Sequence, residues 1–219
     1  MIIISGPQIA DAPLSWPGDE SNTLAEGRVG RFVRDRVRTP DGEVMTRDYV
    51  RHPGAVGVIA IDDHDRVALV RQYRHAVGYR LIEPPAGLLD VDGEDYLLAA
   101  QRELAEEVGL GARTWHVLAD VFTSPGILGE AMRVYLARDL SEAAAPESFL
   151  REGEEAHMDI VWANLDDLVS AVLAGRVQNP TLVSGVLAAW TARERDGYAS
   201  LRSADAPWAA RELLVVDRH

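Results

Sequence analysis

The sequence predicts an α+β fold built as a layer of helices against β-sheet. Short strand-like runs dominate the first half of the chain, one helical pattern follows them, and two more helical patterns come late. The length of 219 residues is that of one domain with an extension, and 47% hydrophobic with 26% charged residues is enough to bury a core. The composition therefore excludes disorder as the main state.

The strand-like segments are short and separated by turn signals. They occupy, in chain order, residues 31–37, 43–50, 55–61, 66–73, 81–86, 114–122, 131–137 and 158–162. The turn signal Pro40-Asp41-Gly42 lies between the first two, and Asp62-Asp63-His64-Asp65 lies between the next two, so we expect two hairpins. The first 20 or so residues, with Pro7, Pro13 and Pro17, predict an arm without a core of its own.

Three helices are predicted, at residues 95–108, 165–174 and 182–195. Gly109 ends the first, Asn164 is placed to cap the second, and Asn179-Pro180-Thr181 is placed to begin the third. The last 20 residues contain Trp208 and the apolar run LLVV. We expect this tail to dock on the body or on a partner chain.

The charge balance limits the partners of the chain. It has 22 basic and 35 acidic residues, a formal charge of −13, and every fixed positive charge is an arginine. Such a field repels nucleic acid and anionic membranes, so an anionic substrate must meet local arginines or a metal. No cysteine, signal-peptide pattern or run of about 20 apolar residues is present, and we expect a cytoplasmic protein.

The first helix carries crowded carboxylates. Glu103, Glu106 and Glu107 are three and four residues apart, so they share one face, and they lie near the helix C-terminus, where the dipole opposes them. One reading is a solvated acidic face on an acidic protein. The other is a site for Mg²⁺ or Mn²⁺, which would offset the repulsion and which prefers carboxylate oxygens.

A family signature favours the second reading. Glu94, seven intervening residues and then RELAEEVGL at 102–110 resemble the Nudix box, with one departure: six residues instead of five separate Gly87 from Glu94. The resemblance implies the Nudix fold, an α/β/α sandwich with a mixed sheet, at residues 51–195. Residues 1–50 would then be an arm and β-hairpin dimerisation region preceding it, and residues 196–219 the docked tail.

The resemblance also implies hydrolysis of a nucleoside diphosphate linked to another moiety, with Mg²⁺ or Mn²⁺ as cofactor. It assigns the metal ligands to Glu103 and Glu107, with Glu106 assisting, and to the backbone carbonyl of Ala86. It gives a structural role to Gly87, Glu94, Arg102 and Gly109. Arg102 is expected to orient Glu94 and the box carboxylates, since a guanidinium fork can hold two of them.

Features outside the box resemble the ADP-ribose pyrophosphatase subfamily. They are Pro125, which lies 16 residues after Gly109, the N-terminal hairpin, and the runs VRQYRHAVGYRLIEPPAG and RVQNPTLVSGVLAAW. The resemblance implies a homodimer that cleaves ADP-ribose to AMP and ribose 5-phosphate. Another nucleoside diphosphate sugar or a dinucleotide as substrate, and a sensor that binds ADP-ribose without cleaving it, are the alternatives.

Substrate contacts are expected at Arg51, Arg74, Glu83, Leu88, Gly126 and Glu130. Arg51 and Arg74 would supply positive charge to the pyrophosphate or adenosine, although surface salt bridges explain such arginines equally simply. Glu83 is expected either to accept from an adenine amino group or to pair with Arg80.

The general base is expected in the segment before the last strand, because this subfamily does not place it in the box. Residues 151–157, REGEEAH, offer two adjacent glutamates. Glu155 is the first choice and Glu154 the second, and the alternative is that both are solvated loop acids.

Overall fold

A computed structural model of the chain describes residues 3–145 and 157–216. The strands are β1 (Gly18–Glu26), β2 (Arg31–Arg38), β3 (Val44–Arg51), β4 (Ala55–Ile61), β5 (Arg66–Arg74), β6 (Tyr79–Glu83), β7 (Ala86–Leu88), β8 (Leu110–Phe122), β9 (Leu128–Gly129), β10 (Ala131–Glu142), β11 (Asp159–Asn164) and β12 (Arg202–Ser203). The helices are α1 (Tyr96–Val108), α2 (Leu165–Leu173), α3 (Pro180–Asp196) and α4 (Ala209–Val216), and a 3₁₀ turn spans Gly6–Gln8.

The strands form two sheets. The larger has the order β11-β5-β4-β10-β8-β12, with β6 beside β5 and β7 beside β4, and the smaller has the order β1-β2-β3-β9. Most neighbours in the larger sheet are antiparallel, but β4 and β10 are parallel, with Ala55 opposite Met132. The parallel pair at the centre makes this a mixed sheet, as the sequence resemblance implies.

Helices cover both faces of the larger sheet. On one face, α1 packs Ala100, Leu104 and Val108 against the β4 residues Val56 and Val58. On the other face, α2 and α3 enclose Ile59, Val134 and Leu136. The α/β/α arrangement predicted for the core is confirmed.

Local signals explain where the helices begin and end. The Asp95 carboxylate accepts hydrogen bonds from the backbone of Leu97 and Leu98 at the start of α1, and Gly109 ends the helix with φ +69°. Asn179 caps α3 in the same way at Leu182 N. Within the described ranges, no helix has the length and apolar character to cross a membrane.

The main differences from the sequence prediction concern the arm, the segment 81–86 and the tail. The arm contains a strand, β1, whose nine residues are all exposed and which is held by antiparallel pairing with β2. The strand predicted at 81–86 is two strands, because Pro84-Pro85 interrupts the ladder between β6 and β7. The tail forms a short helix, α4, that the sequence analysis did not predict. Trp208, just before this helix, is 3% exposed.

Candidate active site

The box helix places two carboxylates against strand β7. Glu107 is buried, and its Oε2 accepts a hydrogen bond from the Ala86 backbone nitrogen at 3.0 Å. Glu103 packs directly on Gly87, since a Cβ added at Gly87 would lie 2.0 Å from the Glu103 Cδ. Gly87 therefore makes room for this carboxylate despite the extra residue in the loop that follows it.

Arg102 joins the acids of the loop and the helix. Its Nε and Nη2 donate to the two oxygens of Glu94 at 3.0 and 3.1 Å, a bidentate pair. Its Nη1 donates to Glu103 at 2.5 Å and to Glu106 at 3.3 Å. The hydrogen bond with Glu94, followed by the attraction of Glu103, raises the pKa of Arg102 above its usual value, so the cation persists at every working pH.

The donor chemistry of this site suits a hard divalent cation. Glu107 contacts the Ala86 backbone, Glu103 packs on Gly87, and Glu106 shares Arg102 with Glu103. Carboxylate oxygens of this kind are the ligands that Mg²⁺ and Mn²⁺ prefer. In the described ranges, no three His, Asp or Glu side chains are already spaced to hold an ion. Arg102 instead supplies the positive charge between Glu103 and Glu106.

At the ends of β6 and β5, the buried Glu83 carboxylate pairs with the half-exposed Arg74 guanidinium. Glu83 is 2% exposed, and its oxygens accept from Arg74 Nε at 3.0 Å, from Arg74 Nη2 at 2.7 Å and from Gln72 Nε2 at 3.0 Å. Arg80 instead pairs with Asp159 on β11. The structure therefore brings two predicted substrate residues together and contradicts the alternative that Glu83 pairs with Arg80.

Arg51 lies in the smaller sheet, at the end of β3. Its guanidinium donates to Ser21 Oγ at 2.9 Å and to the Tyr49 hydroxyl at 3.1 Å, and it lies 3.6 Å from an Asp35 oxygen. These residues line an open cavity of about 660 Å³, which Trp16, Gly129 and Leu214 also line. The N-terminal sheet thus presents Arg51 to a polar cavity apart from the Arg74–Glu83 pair.

Glu130 is buried beside His52 and Thr123. Its Oε1 lies 3.1 Å from His52 Nδ1, and its Oε2 accepts a short hydrogen bond from Thr123 Oγ1. Gly126 lies in the adjoining turn, where Leu128 N donates to Ser124 O at 2.8 Å. Sequence reasoning missed His52 and Thr123, because nothing in their local pattern marks them as neighbours of Glu130.

The remaining predicted residues are placed as follows. Leu88 is the last residue of β7 and pairs with Ala55 of β4. Gly109 caps α1. Glu154 and Glu155, the candidates for the general base, lie outside the described residues.

Comparison with known proteins places the chain among nucleotide hydrolases. A NUDIX domain family model matches residues 51–183. The chain is 45% identical over 198 residues to an ADP-ribose pyrophosphatase of Mycobacterium tuberculosis, which covers 90% of this chain and 93% of that protein. It is 32% identical to an ADP-ribose pyrophosphatase of Bacillus subtilis over 70% of this chain and 83% of that protein.

The fold comparison agrees. A crystal structure of an ADP compounds hydrolase superposes with a TM-score of 0.66 and 22% sequence identity, covering 86% of this chain and 99% of that one. At this identity the likeness concerns the fold.

Proposed function

The chain belongs to the Nudix family, and we propose that it hydrolyses the pyrophosphate bond of ADP-ribose to give AMP and ribose 5-phosphate. The observation that carries the proposal is the 45% identity to an ADP-ribose pyrophosphatase across 93% of that protein. This alignment extends beyond the matched domain at 51–183, so it includes segments outside the catalytic core.

Nudix hydrolases use divalent metal ions, and we propose Mg²⁺, with Mn²⁺ as a substitute, for this one. Glu103, Glu107 and the Ala86 carbonyl would hold it, with Glu106 assisting. Glu107 contacts the Ala86 backbone and Glu103 packs on Gly87, and hard oxygen donors suit this ion. When bound, the cation neutralises the pyrophosphate and the charge that develops on the leaving phosphate. Arg102 and Gly87 position the Glu103 carboxylate.

Proton transfer is assigned to the segment at 151–157. In the proposal, Glu155 takes a proton from the attacking water as the water oxygen bonds to phosphorus and the bridging P–O bond breaks. Glu154 is the second choice for the same role. The two products together then contain the atoms of ADP-ribose and one water.

Positive charge from two sheets is proposed to hold the substrate. Arg74, oriented by its bidentate pair with buried Glu83, and Arg51, at the polar cavity, provide cations in a protein of charge −13. Leu88, Gly126 and Glu130 complete the proposed contacts.

The larger organisation follows the same proposal. Residues 1–50 form a homodimerisation region, residues 51–195 the hydrolase domain and residues 196–219 a docked tail, in a cytoplasmic enzyme. Support for the dimer comes from the N-terminal region, where Ile4, Leu14, Trp16 and Leu24 are all exposed.

A substrate panel tests the assignment. Purified full-length chain with Mg²⁺ is given ADP-ribose, other ADP-sugars, GDP-sugars and NADH, and products are separated by chromatography. We expect kcat/KM for ADP-ribose to exceed that for the others by about tenfold or more, since polar pocket groups reject poorly matched substrates. Faster cleavage of another substrate identifies it as the natural class, and binding of ADP-ribose without cleavage indicates a sensor; both results contradict the proposal.

A further inference from the structure

Arg211 is a buried cation that meets no matching anion among the described residues. It is 6% exposed, and in that part of the chain neither its Nε nor its Nη1 has a hydrogen-bond partner. The other buried arginine of the described chain, Arg133, is bound by the Asp120 carboxylate and by the carbonyls of Ala206 and Pro207. Within the same ranges, no carboxylate forms an ion pair with Arg211.

Helix α4 holds Arg211 in this position. Trp208, just before the helix, packs edge-on against Tyr96 with ring centroids 5.2 Å apart and lies 4.8 Å from the Arg133 guanidinium. Arg211 N donates to Trp208 O at 3.0 Å, which continues the chain from this anchor into the helix. The side chain is therefore fixed by packing of its neighbours, not by a charge partner of its own.

Gly54 has no side chain, which allows the Arg211 guanidinium to lie close to the backbone. A Cβ at Gly54 would lie 3.0 Å from both Arg211 Nε and the Ala131 carbonyl, and Gly54 has φ +84°. The carboxylate next in sequence to Ala131, that of Glu130, is occupied by His52 and Thr123. The fold thus brings the Arg211 guanidinium close to Gly54 and Ala131, and no acid of the described ranges pairs with it there.

Burial of an unpaired guanidinium is unfavourable, because the charge loses water without gaining a counter-charge. The same burial lowers the pKa of Arg211 from its usual value. An oxyanion would relieve this penalty, and the planar guanidinium fork matches phosphate oxygens in particular. The chain has a charge of −13, so its overall field repels anions from most of the surface. An anion would therefore bind at a local cation such as Arg211.

We propose that Arg211 is the centre of an oxyanion-binding site between α4, Gly54 and the start of β10, and that its occupant is a phosphate group. Arg211 contacts Gly54, whereas the box carboxylates contact Ala86 and Gly87. It does not depend on the identity of the hydrolysed substrate. The phosphate is either inorganic phosphate or the monoester of a small molecule such as AMP or ribose 5-phosphate.

Thermal unfolding of the full-length chain measures whether phosphate binds to the folded protein. Inorganic phosphate is titrated at constant ionic strength with a chelator present, so that no cation at the box can bind it. A site of this kind favours the folded state about a hundredfold when phosphate is 100 times Kd. We expect a saturable rise in Tm for the wild-type chain and for Arg176→Met, a matched change of an exposed arginine.

Two substitutions assign the effect to the side chain. Arg211→Met, which keeps the length and removes the charge, is expected to abolish the phosphate-dependent rise, whereas Arg211→Lys should keep a weaker one. The absence of a rise in the wild-type chain overturns the proposal. So does an equal rise in the wild-type chain and Arg211→Met.

The source of the phosphate is distinguished in the same assay. AMP and ribose 5-phosphate replace inorganic phosphate, again with and without Arg211→Met. An Arg211-dependent rise at lower concentrations of a monoester identifies that product class as the occupant, and a rise at lower concentrations of inorganic phosphate identifies the free ion. Rises that are unchanged by Arg211→Met in all three titrations contradict the site.

Discussion

At the scale of single residues, small side chains allow functional groups to pack against the backbone. Gly87 is the clearest case, since the Glu103 carboxylate occupies the space that a side chain at position 87 would fill. The backbone φ of Gly87 is not in the left-handed region, so the requirement at this position is space and not backbone freedom. Any larger residue there must displace a proposed metal ligand.

Gly87→Ala should therefore lower activity more than stability. A misplacement of about 1 Å in a catalytic group costs on the order of a hundredfold in rate, and we expect a loss of kcat of that size on ADP-ribose. Gly111→Ala is the control, because a Cβ there meets Ala143 at an ordinary 3.4 Å. Wild-type kcat in Gly87→Ala at saturating Mg²⁺ would show that Glu103 has no fixed catalytic position.

The arrangement of the box residues could be predicted from the sequence, because positions along one helix determine the distances between side chains. Arg102 and Glu106, four residues apart, are neighbours by helical geometry alone. The contact of Glu130 with His52 and Thr123 joins residues from different segments, so no local pattern announces it. Arg211 was missed for a related reason, since burial without a partner depends on the whole surroundings.

At the scale of elements, the pattern of apolar residues predicted most of the strands. It did not predict strand β1, which has no buried face. The strands β4 and β5 were predicted from apolar runs, and burial of Val58 and Leu69 agrees. Strand β1 has only exposed residues and gains its order from β2, for example through the Arg38–Asp19 ion pair. A pattern based on burial cannot find such a strand.

The segment at 151–157 carries the second prediction. If Glu155 is the general base, Glu155→Gln should lower kcat by about a hundredfold or more with little change in KM, because the interaction develops mainly in the transition state. Glu154→Gln is the matched control and should lower kcat much less. The reverse order assigns the role to Glu154, and full activity in the double variant would move the base to Glu106.

For the whole molecule, the N-terminal sheet and arm expose several large apolar side chains. Ile3, Leu14 and Leu24 are 81%, 82% and 46% exposed. The larger sheet already has helices on both faces, so it does not cover these side chains. Exposed apolar surface of this kind is typical of a protein interface. A two-fold symmetric pairing is the commonest way to cover it.

The third prediction is a dimer built on residues 1–50. Light scattering should give twice the chain mass of 24.0 kDa for the intact protein, and deletion of 1–50 should abolish both the dimer and the activity. Leu24→Asp should weaken the dimer, whereas Leu173→Asp, at an exposed position on α2, should not. An intact chain that is monomeric and fully active would contradict this organisation.

The central claim is that the carboxylates on α1 carry metal-dependent cleavage of ADP-ribose. Formation of AMP and ribose 5-phosphate is measured for the wild-type chain, Glu107→Gln, Glu103→Gln and Asp167→Asn across a Mg²⁺ titration, with circular dichroism as a check on folding. Asp167→Asn, a change of an exposed helix acid, should keep wild-type rates. We expect both glutamine variants to fold and to lose about a hundredfold or more in kcat, since metal catalysis supplies several kcal/mol. Near-full turnover of Glu107→Gln at saturating Mg²⁺ would contradict the claim.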